Sequence, residues 1–580
     1  MTDNKETFDG TWTRRKFLTK VGIVGGAAAL YETMVAMGMI NTPTAWAGTP
    51  KLKANVGVGK SVLILGAGIG GLTTAYILGQ YGYRCEIIEA SNRAGGRNHT
   101  ARRGSTIIEK SEANGTTFQE CMFDDGLYLN LGPGRLPYHH RRVLGYCQQL
   151  GVELEPYIMN TTGNLFQSTD DQFTSSPKVY REIQNDTRGY IAELLAKCVN
   201  KGALDEELSA DDKANLLSLL QTFGPLGQKH TGCGEENPDY NYEGSTRTGC
   251  ADDVDGKPTP NVFYNCQIPQ KSSLNDLLDS KFWQNSFYDP VEFEWQPTLF
   301  QPVGGMDKIV DGFVRAIGDI IRFNAPVTEI QNVRNGVEVT YMDGNREVTK
   351  RADFCASNIP CPILKRIKNN FSRDFQDAIA RTTFDASCKV GWQTNTRFWE
   401  DQKYEIYGGI SWTNDIIEQI WYPSNDYFKQ KGTLTGAYIH DGTCEGEPRH
   451  ATEFGNYSLE KRLAVAKEGG ARLHDEFEDN SIVPTELGVS IAWQHVVHAE
   501  GAWPLWASTG QHDNADYRRL LTPDGNVFIV GDQASTLPGW QEGAMMSAEH
   551  VVEMIGGLKE RVVPEGVEAP NTFKVTRGHF

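Results

Sequence analysis

The sequence lacks the patterns of several large protein classes. Its 580 residues include 11 cysteines but no Cys-x-x-Cys pair, which argues against a zinc ribbon, a thioredoxin-like site and a dense disulfide framework. No apolar run reaches the roughly 18 residues that span a bilayer. The net charge of −18 disfavours nucleic acid as a partner. What remains is an ordinary globular composition, in a chain long enough for several domains.

The N-terminus has the order of features found in export signals. Arg14 and Arg15 precede the uncharged run 21–31, and residues 45–47 (AWA) form a small-residue cleavage pattern. The paired arginines resemble the twin-arginine signal. Glu32 interrupts the hydrophobic stretch and favours the alternative, an N-terminal surface helix. We expect residues 1–47 to be a twin-arginine-like signal peptide, and the protein to be exported to the periplasm or secreted.

A strand–turn–helix–strand unit follows. The apolar run 61–65 predicts a buried strand that leads into G-x-G-x-x-G at 66–71, then a helix over 72–78 and a second strand over 84–88. In this pattern the glycines make the tight turn, admit a pyrophosphate to the backbone and let helix and strand pack closely, while the terminal acid binds ribose hydroxyls. The pattern predicts dinucleotide binding by Gly66, Gly68, Gly70, Gly71 and Glu89.

A glycine pair flanked by arginines comes next, in residues 91–97 (SNRAGGR). Such a nest of N–H groups and positive charge suits a pyrophosphate. Here the sequence resembles the flavin amine oxidase family, closest to its bacterial L-amino acid oxidases. The resemblance implies FAD, bound non-covalently because no cysteine lies beyond Cys444, whereas some relatives attach their flavin to a later cysteine. It assigns further cofactor contacts to Ala90, Gly96, Arg97, Val327, Gly531, Asp532, Gly539 and Trp540.

The stretch 129–137 (LNLGPGRLP) resembles the L-amino acid oxidase version of a family turn. The resemblance implies that Arg135 binds the substrate carboxylate. A guanidinium offers a planar bidentate fork to a carboxylate and stays charged at every relevant pH. The alternative is a surface arginine, and oxidases of simple amines need no such cation. The same turn is expected against the cofactor through Gly132, Pro133, Gly134 and Arg135.

Two further resemblances concern the reacting centre. Residues 304–308 (GGMDK) resemble a family turn whose lysine holds a water near flavin N5, so Lys308 is the predicted catalytic lysine. Monoamine oxidase relatives place theirs before the glycine pair, where this chain has Gln301. An aromatic chamber is predicted from Trp399, Trp503 and Trp540, with ordinary core packing as the alternative for the first two.

Two histidine pairs resemble metal ligands only superficially. No acidic or cysteine ligand accompanies His139-His140 or His495 and His498 at a known spacing. Both pairs are therefore interpreted as structural, and no metal is predicted.

These features predict an α/β fold with a Rossmann-type FAD-binding domain assembled from separated segments, a mixed-sheet substrate domain and a helical insert. The FAD-binding domain is assigned to 60–95, 305–345 and 515–560. The substrate-binding domain is assigned to 96–160 and 346–514, and the helical domain to 161–304.

The predicted activity is oxidative deamination of L-amino acids to 2-oxo acids, ammonia and hydrogen peroxide, with hydride transfer from Cα to flavin N5. Its partners are an L-amino acid and molecular oxygen, without nucleic acid; a homo-oligomer is expected, and peripheral membrane association is compatible with the sequence. Three alternatives stay open: a monoamine or polyamine oxidase, an amino-acid monooxygenase, and a non-catalytic flavoprotein.

Overall fold

The computed structural model describes residues 48–169, 177–227, 240–251, 253–254, 257–258, 262–263, 265–284, 292–441, 449–506, 511–564 and 566–567. The predicted export signal lies outside the described residues.

The elements alternate along the chain. The α-helices are α1 (Ile69–Gln80), α2 (Arg141–Gln149), α3 (Tyr180–Asn200), α4 (Ala210–Phe223), α5 (Leu274–Ser280), α6 (Asp307–Ile317), α7 (Cys361–Leu364), α8 (Arg373–Arg381), α9 (His450–Gly455), α10 (Leu459–Ala471), α11 (Gln511–Leu521) and α12 (Gln541–Ile555). The strands are β1 (Ser61–Leu65), β2 (Arg84–Ile88), β3 (Thr100–Ala101), β4 (Thr106–Ser111), β5 (Gly115–Glu120), β6 (Leu129–Asn130), β7 (Leu136–Pro137), β8 (Leu154–Tyr157), β9 (Leu165–Gln167), β10 (Lys178–Val179), β11 (Asp253–Val254), β12 (Lys257–Pro258), β13 (Leu299–Pro302), β14 (Ile321–Arg322), β15 (Val327–Val333), β16 (Gly336–Asp343), β17 (Arg346–Ala352), β18 (Phe354–Ser357), β19 (Lys368–Asn369), β20 (Thr383–Phe384), β21 (Ser387–Thr394), β22 (Ile410–Thr413), β23 (Gln419–Trp421), β24 (Gly432–His440), β25 (Gly488–Ala492), β26 (Pro504–Leu505) and β27 (Val527–Ile529).

The first sheet is parallel and has the strand order β14-β2-β1-β18-β27. Its central strand β1 is apolar and nearly fully buried, as expected for a strand of a covered parallel sheet. Strand β18 lies inside this sheet, between β1 and β27, although it falls in the segment 346–514 that the sequence assigned to the substrate domain. The sheet therefore draws on more separated segments than the sequence indicated.

The second sheet has seven strands in the order β10-β9-β22-β23-β24-β21-β25 and is mostly antiparallel. All eight residues of β21 are buried. Strands β9 and β10 come from the segment 161–304, whose remainder holds helices α3, α4 and α5. The mixed α/β fold class predicted from the sequence is confirmed.

The helical segment carries one described disulfide, Cys250–Cys266. Helices α3 and α4 pack around the buried Tyr242 ring, whose hydroxyl donates to Asp186 (2.7 Å). Among the described residues, no helix has both the length and the apolar character needed to cross a bilayer.

Candidate functional site

A single cavity brings together residues from many parts of the chain. It runs from the glycine turn after β1 to strands β21 and β23 of the second sheet. Of the site residues predicted from the sequence, its lining contains Gly66, Gly68, Gly70, Glu89, Ala90, Gly96, Arg97, Gly132, Pro133, Gly134, Arg135, Val327, Trp503, Asp532, Gly539 and Trp540. The remaining four, Gly71, Gly531, Lys308 and Trp399, do not line it.

The glycine turn is built as its spacing indicates. Gly66 has a φ of +97°, which favours glycine. A Cβ atom at Gly71 would collide with the carbonyl oxygen of Gly66, so this glycine serves the packing of α1 against β1 rather than the lining. The backbone N–H of Gly95 donates to the carbonyl oxygen of Ala67 (2.8 Å). This bond holds the second glycine pair beside the first turn.

Glu89, at the end of β2, is buried and already oriented. Its Oε2 accepts from the backbone N–H of Ala67 (2.6 Å), and its Oε1 accepts from the backbone N–H of Ser91 (2.8 Å). These two bonds fix the orientation of the side chain at the cavity wall. The carboxylate can therefore bind ribose hydroxyls without reorganising.

The Arg97 guanidinium forms a bidentate pair with Asp532 and donates to the carbonyl oxygen of Ala502 (2.6 Å). Asp532 also accepts from the backbone N–H of Gly539 (3.0 Å). The pair therefore joins the turn after β2 to the turn before α12. Two motifs more than 400 residues apart in the chain meet here on one wall of the cavity.

Two helices begin at this cavity without a side-chain cap. Helix α1 starts after Gly68 and helix α12 after Trp540. Free N–H groups and the positive end of a helix dipole form a natural anion site. Within the described residues, the buried amide of Gln541 and the Oδ1 of Asn98 line the cavity without a hydrogen-bond partner. The free N–H groups fit the phosphates of a cofactor. The amide of Gln541 and the oxygen of Asn98 can bind other polar groups of the same cofactor.

Arg135 is buried, with 6% of its surface exposed, inside a cage of indole rings. Its guanidinium carbon lies 4.0 Å from the ring centre of Trp295, 5.1 Å from Trp540 and 5.5 Å from Trp421. Pairing of β7 with β13 brings the turn that carries Trp295 beside Arg135. Gly134 is required because a Cβ there would lie 2.7 Å from the Trp421 ring. The cage holds a positive charge in a largely apolar enclosure.

Lys389, on β21, also lines the cavity, and the sequence reasoning missed it. Its Nζ donates to the carbonyl oxygen of Gly132 (2.6 Å) and lies 5.0 Å from the Trp421 ring centre and 4.7 Å from that of Tyr438. Burial, together with the charge of Arg135, lowers the pKa of Lys389 to about 7. A single lysine inside a strand that is otherwise uncharged was the signal available in the sequence.

Lys308 and Trp399 occupy other surroundings than the sequence predicted. Lys308 lies on α6, where its side chain is 40% exposed and its ammonium pairs with Asp311 (2.9 Å). Trp399 is fully buried in the core of the second sheet, where it packs against Phe398 and Tyr422. The structure does not bring either side chain into the cavity lining.

Comparisons with known proteins identify the family of this chain. A family model described as flavin containing amine oxidoreductase matches residues 69–555. The chain is 25% identical to the flavin-dependent L-tryptophan oxidase RebO of Lentzea aerocolonigenes over 516 residues, which cover 86% of this chain and 98% of the relative. It is 24% identical to the putative L-amino-acid oxidase YobN of Bacillus subtilis (strain 168), with coverages of 86% and 95%.

Solved structures share the fold at lower identity. Wild-type putrescine oxidase bound to putrescine gives a TM-score of 0.51 at 18% identity and covers 86% of this chain and 98% of its own. Cyclohexylamine oxidase from Brevibacterium oxydans IH-35A gives 0.50 at 17% identity, with coverages of 86% and 99%. The resemblance drawn from the sequence is confirmed, and a flavin is the cofactor that it implies. The chain therefore belongs to the flavin-containing amine oxidoreductase family.

Proposed function

We propose that this protein is a FAD-dependent L-amino-acid oxidase. It converts an L-amino acid, oxygen and water to a 2-oxo acid, ammonia and hydrogen peroxide. The observation that carries the proposal is the buried Arg135 guanidinium in its indole cage, next to the cofactor-binding turns. A cation enclosed in this way matches the carboxylate that distinguishes an amino acid from a simple amine.

The side chains around Arg135 have complementary tasks. Arg135 holds the carboxylate, and the rings of Trp295, Trp421 and Trp540 exclude water and accept an apolar side chain. Lys389, whose pKa is lowered to about 7, accepts a proton from the substrate ammonium so that the amine becomes neutral. A bound flavin would supply the redox chemistry, as acceptor of the Cα hydride and donor of electrons to oxygen. A fixed Cα position is the main contribution of the chain.

A simple-amine oxidase is the second candidate. The structural neighbours named above act on putrescine and cyclohexylamine by their names, and a fold by itself does not select between substrates. RebO and YobN, by contrast, are named as oxidases of amino acids. Arg135 is what favours the amino acid.

The test compares L-phenylalanine with phenethylamine, which differ only by the carboxylate. We expect hydrogen peroxide and phenylpyruvate from the amino acid, and at most trace peroxide from the amine. Peroxide from the amine alone would assign the protein to the simple-amine oxidases. Phenylacetamide in place of phenylpyruvate would identify a monooxygenase.

FAD is the proposed flavin, bound without a covalent link. The carboxylate of Glu89 is placed for ribose hydroxyls, and among the described residues no cysteine lines the cavity. Acid precipitation should therefore release all of the yellow cofactor into the supernatant, where its phosphate content identifies it as FAD. Flavin that stays with the pellet would contradict the non-covalent proposal.

Glu89→Gln is expected to weaken FAD affinity by about tenfold to a hundredfold. The amide nitrogen of glutamine would face either the N–H of Ala67 or that of Ser91, so a buried donor would lose its acceptor. Equilibrium dialysis of the flavin measures the change. The control is Glu86→Gln on the same strand, whose carboxylate pairs with Lys350 away from the cavity. Equal losses in the two variants would contradict a specific role for Glu89.

Export is proposed together with this activity. The Cys250–Cys266 disulfide supports it, because disulfides persist in oxidising compartments. Replacement of Arg14 and Arg15 by lysine should retain the protein in the cytoplasm, as measured by cell fractionation. Unchanged export would contradict a twin-arginine route.

A further inference from the structure

The structure gives the first histidine pair an acidic neighbour that is distant in the sequence. Both His139 Nε2 (2.9 Å) and His140 Nε2 (2.8 Å) lie against the same oxygen, Oε2 of Glu294. The three side chains hold their ligand atoms within 4.8 Å of one another. Among the described residues, no other group of three histidine, cysteine or carboxylate side chains meets this arrangement.

The cluster is ordered by aromatic contacts and remains accessible from one side. The Phe293 ring stacks on His139 (4.0 Å between centres, 22° between planes), and Trp540 meets His140 edge-on at 4.8 Å. The side chain of His140 is only 2% exposed, whereas that of Glu294 is 29% exposed. Two imidazoles are thus fixed in orientation, and the carboxylate provides a path from solvent.

The donor set and its dimensions suit a small divalent ion. Two imidazole nitrogens and one carboxylate oxygen are ligands typical of zinc, at about 2.0–2.2 Å from the ion and therefore about 3.4 Å from one another in a tetrahedron. The observed separations from Glu294 are 2.9 and 2.8 Å, about half an ångström shorter than this. A slight withdrawal of the carboxylate makes room for an ion in place of the two hydrogen bonds, with a fourth position open.

The histidine tautomers allow an ion to replace the hydrogen bonds to Glu294. A neutral imidazole that binds an ion through Nε2 presents a lone pair there and carries its proton on Nδ1. Nδ1 of His139 is buried and has no hydrogen-bond partner within the described residues. At His139, a proton on Nδ1 therefore breaks no existing bond at that atom.

We propose that His139, His140 and Glu294 form a binding site for a divalent transition-metal ion of the zinc type. The site joins two segments that also build the substrate cage. Glu294 adjoins Trp295, whose ring lies against Arg135, and the histidines follow Arg135 just after the short strand β7. A bound ion therefore fixes the segment that carries Trp295 against the segment that carries Arg135. His140 also lines the cavity, but the proposed ion takes no part in the oxidation and its binding does not depend on the proposed substrate.

The test uses the full-length, flavin-loaded protein after dialysis against EDTA. Calorimetric titration with Zn²⁺ is expected to show one ion per chain and a higher Tm at saturating zinc. His139→Gln and Glu294→Gln should each weaken zinc binding by about a hundredfold. His450→Gln is the matched control, because His450 pairs with Glu418 through one imidazole only (3.2 Å) and should leave zinc binding unchanged.

Flavin absorbance and the Tm without zinc verify that each variant is folded. The proposal is overturned by the absence of saturable zinc binding in the wild type. It is also overturned if a folded Glu294→Gln or His139→Gln variant binds zinc as tightly as the wild type. These readouts involve no turnover, so their failure is distinguishable from failure of the proposed oxidase activity.

Discussion

Arg135→Met is expected to lower kcat/KM for L-phenylalanine by about 10³-fold, which corresponds to about 4 kcal/mol of lost transition-state binding. Methionine keeps an apolar side chain of similar length in the indole cage but leaves the buried carboxylate without a cation. Activity toward phenethylamine should change by no more than a few-fold, since that substrate has no carboxylate. Steady-state peroxide release with both substrates measures the difference.

The matched control is Arg141→Met, an exposed arginine at the start of α2, which should retain wild-type kinetics. Flavin absorbance of each variant verifies that the cofactor is still bound. Equal losses toward the amino acid and the amine would show that Arg135 supports the structure of the cavity rather than the carboxylate.

Lys389→Met is expected to slow flavin reduction by L-phenylalanine about 10²-fold at pH 8. In the wild type, burial and the charge of Arg135 lower the pKa of Lys389 to about 7. The ammonium form therefore dominates below pH 7 and cannot accept a proton, so the reduction rate should rise through pH 7 and level off above it. Anaerobic stopped-flow measurements from about pH 5.5 to 9 resolve this step.

Two further variants sharpen this result. Lys389→Arg keeps a permanent charge and should be slow at every pH, whereas in Lys389→Met the step near pH 7 should disappear. Lys308→Met tests the prediction made from the sequence for that lysine. Because its side chain is partly exposed and its ammonium pairs with Asp311 outside the cavity lining, we expect wild-type rates. Loss of the pH 7 step in Lys308→Met but not in Lys389→Met would reverse the two assignments.

Much of the cofactor site was predictable because its determinants are local. A buried strand, a glycine turn and a helix follow one another within about 20 residues, so sterics and hydrogen bonds between near neighbours restrict the result to one supersecondary unit. Gly66 and Gly71 fill the positions that this reasoning assigned to them. Glu89 reaches the cavity because β2 ends beside β1 in the parallel sheet.

Other parts of the site were beyond local reasoning. The residues near Lys389 in the sequence do not show that its strand faces the cavity. Lys308 was predicted as the catalytic lysine because its neighbours, residues 304–308, resemble a family turn. Trp399 was predicted to line the cavity, but it packs in the core of the second sheet. Large aromatic side chains are mostly buried in this way, so a motif alone does not distinguish a cavity residue from a core residue. The strand pairing of β7 with β13, which places Trp295 over Arg135, joins segments more than 160 residues apart.

The sequence by itself determined the unit of strand, glycine turn and helix and the fold class, and it predicted an arginine in a glycine- and proline-rich turn for the substrate carboxylate. It did so because side-chain periodicity and glycine geometry act between residues that are close along the chain. Only the tertiary structure decided which lysine reaches the cavity, which indoles enclose Arg135 and which acid meets His139 and His140. These contacts depend on how distant segments pack, and such packing optimises the burial of the whole chain rather than of any one motif.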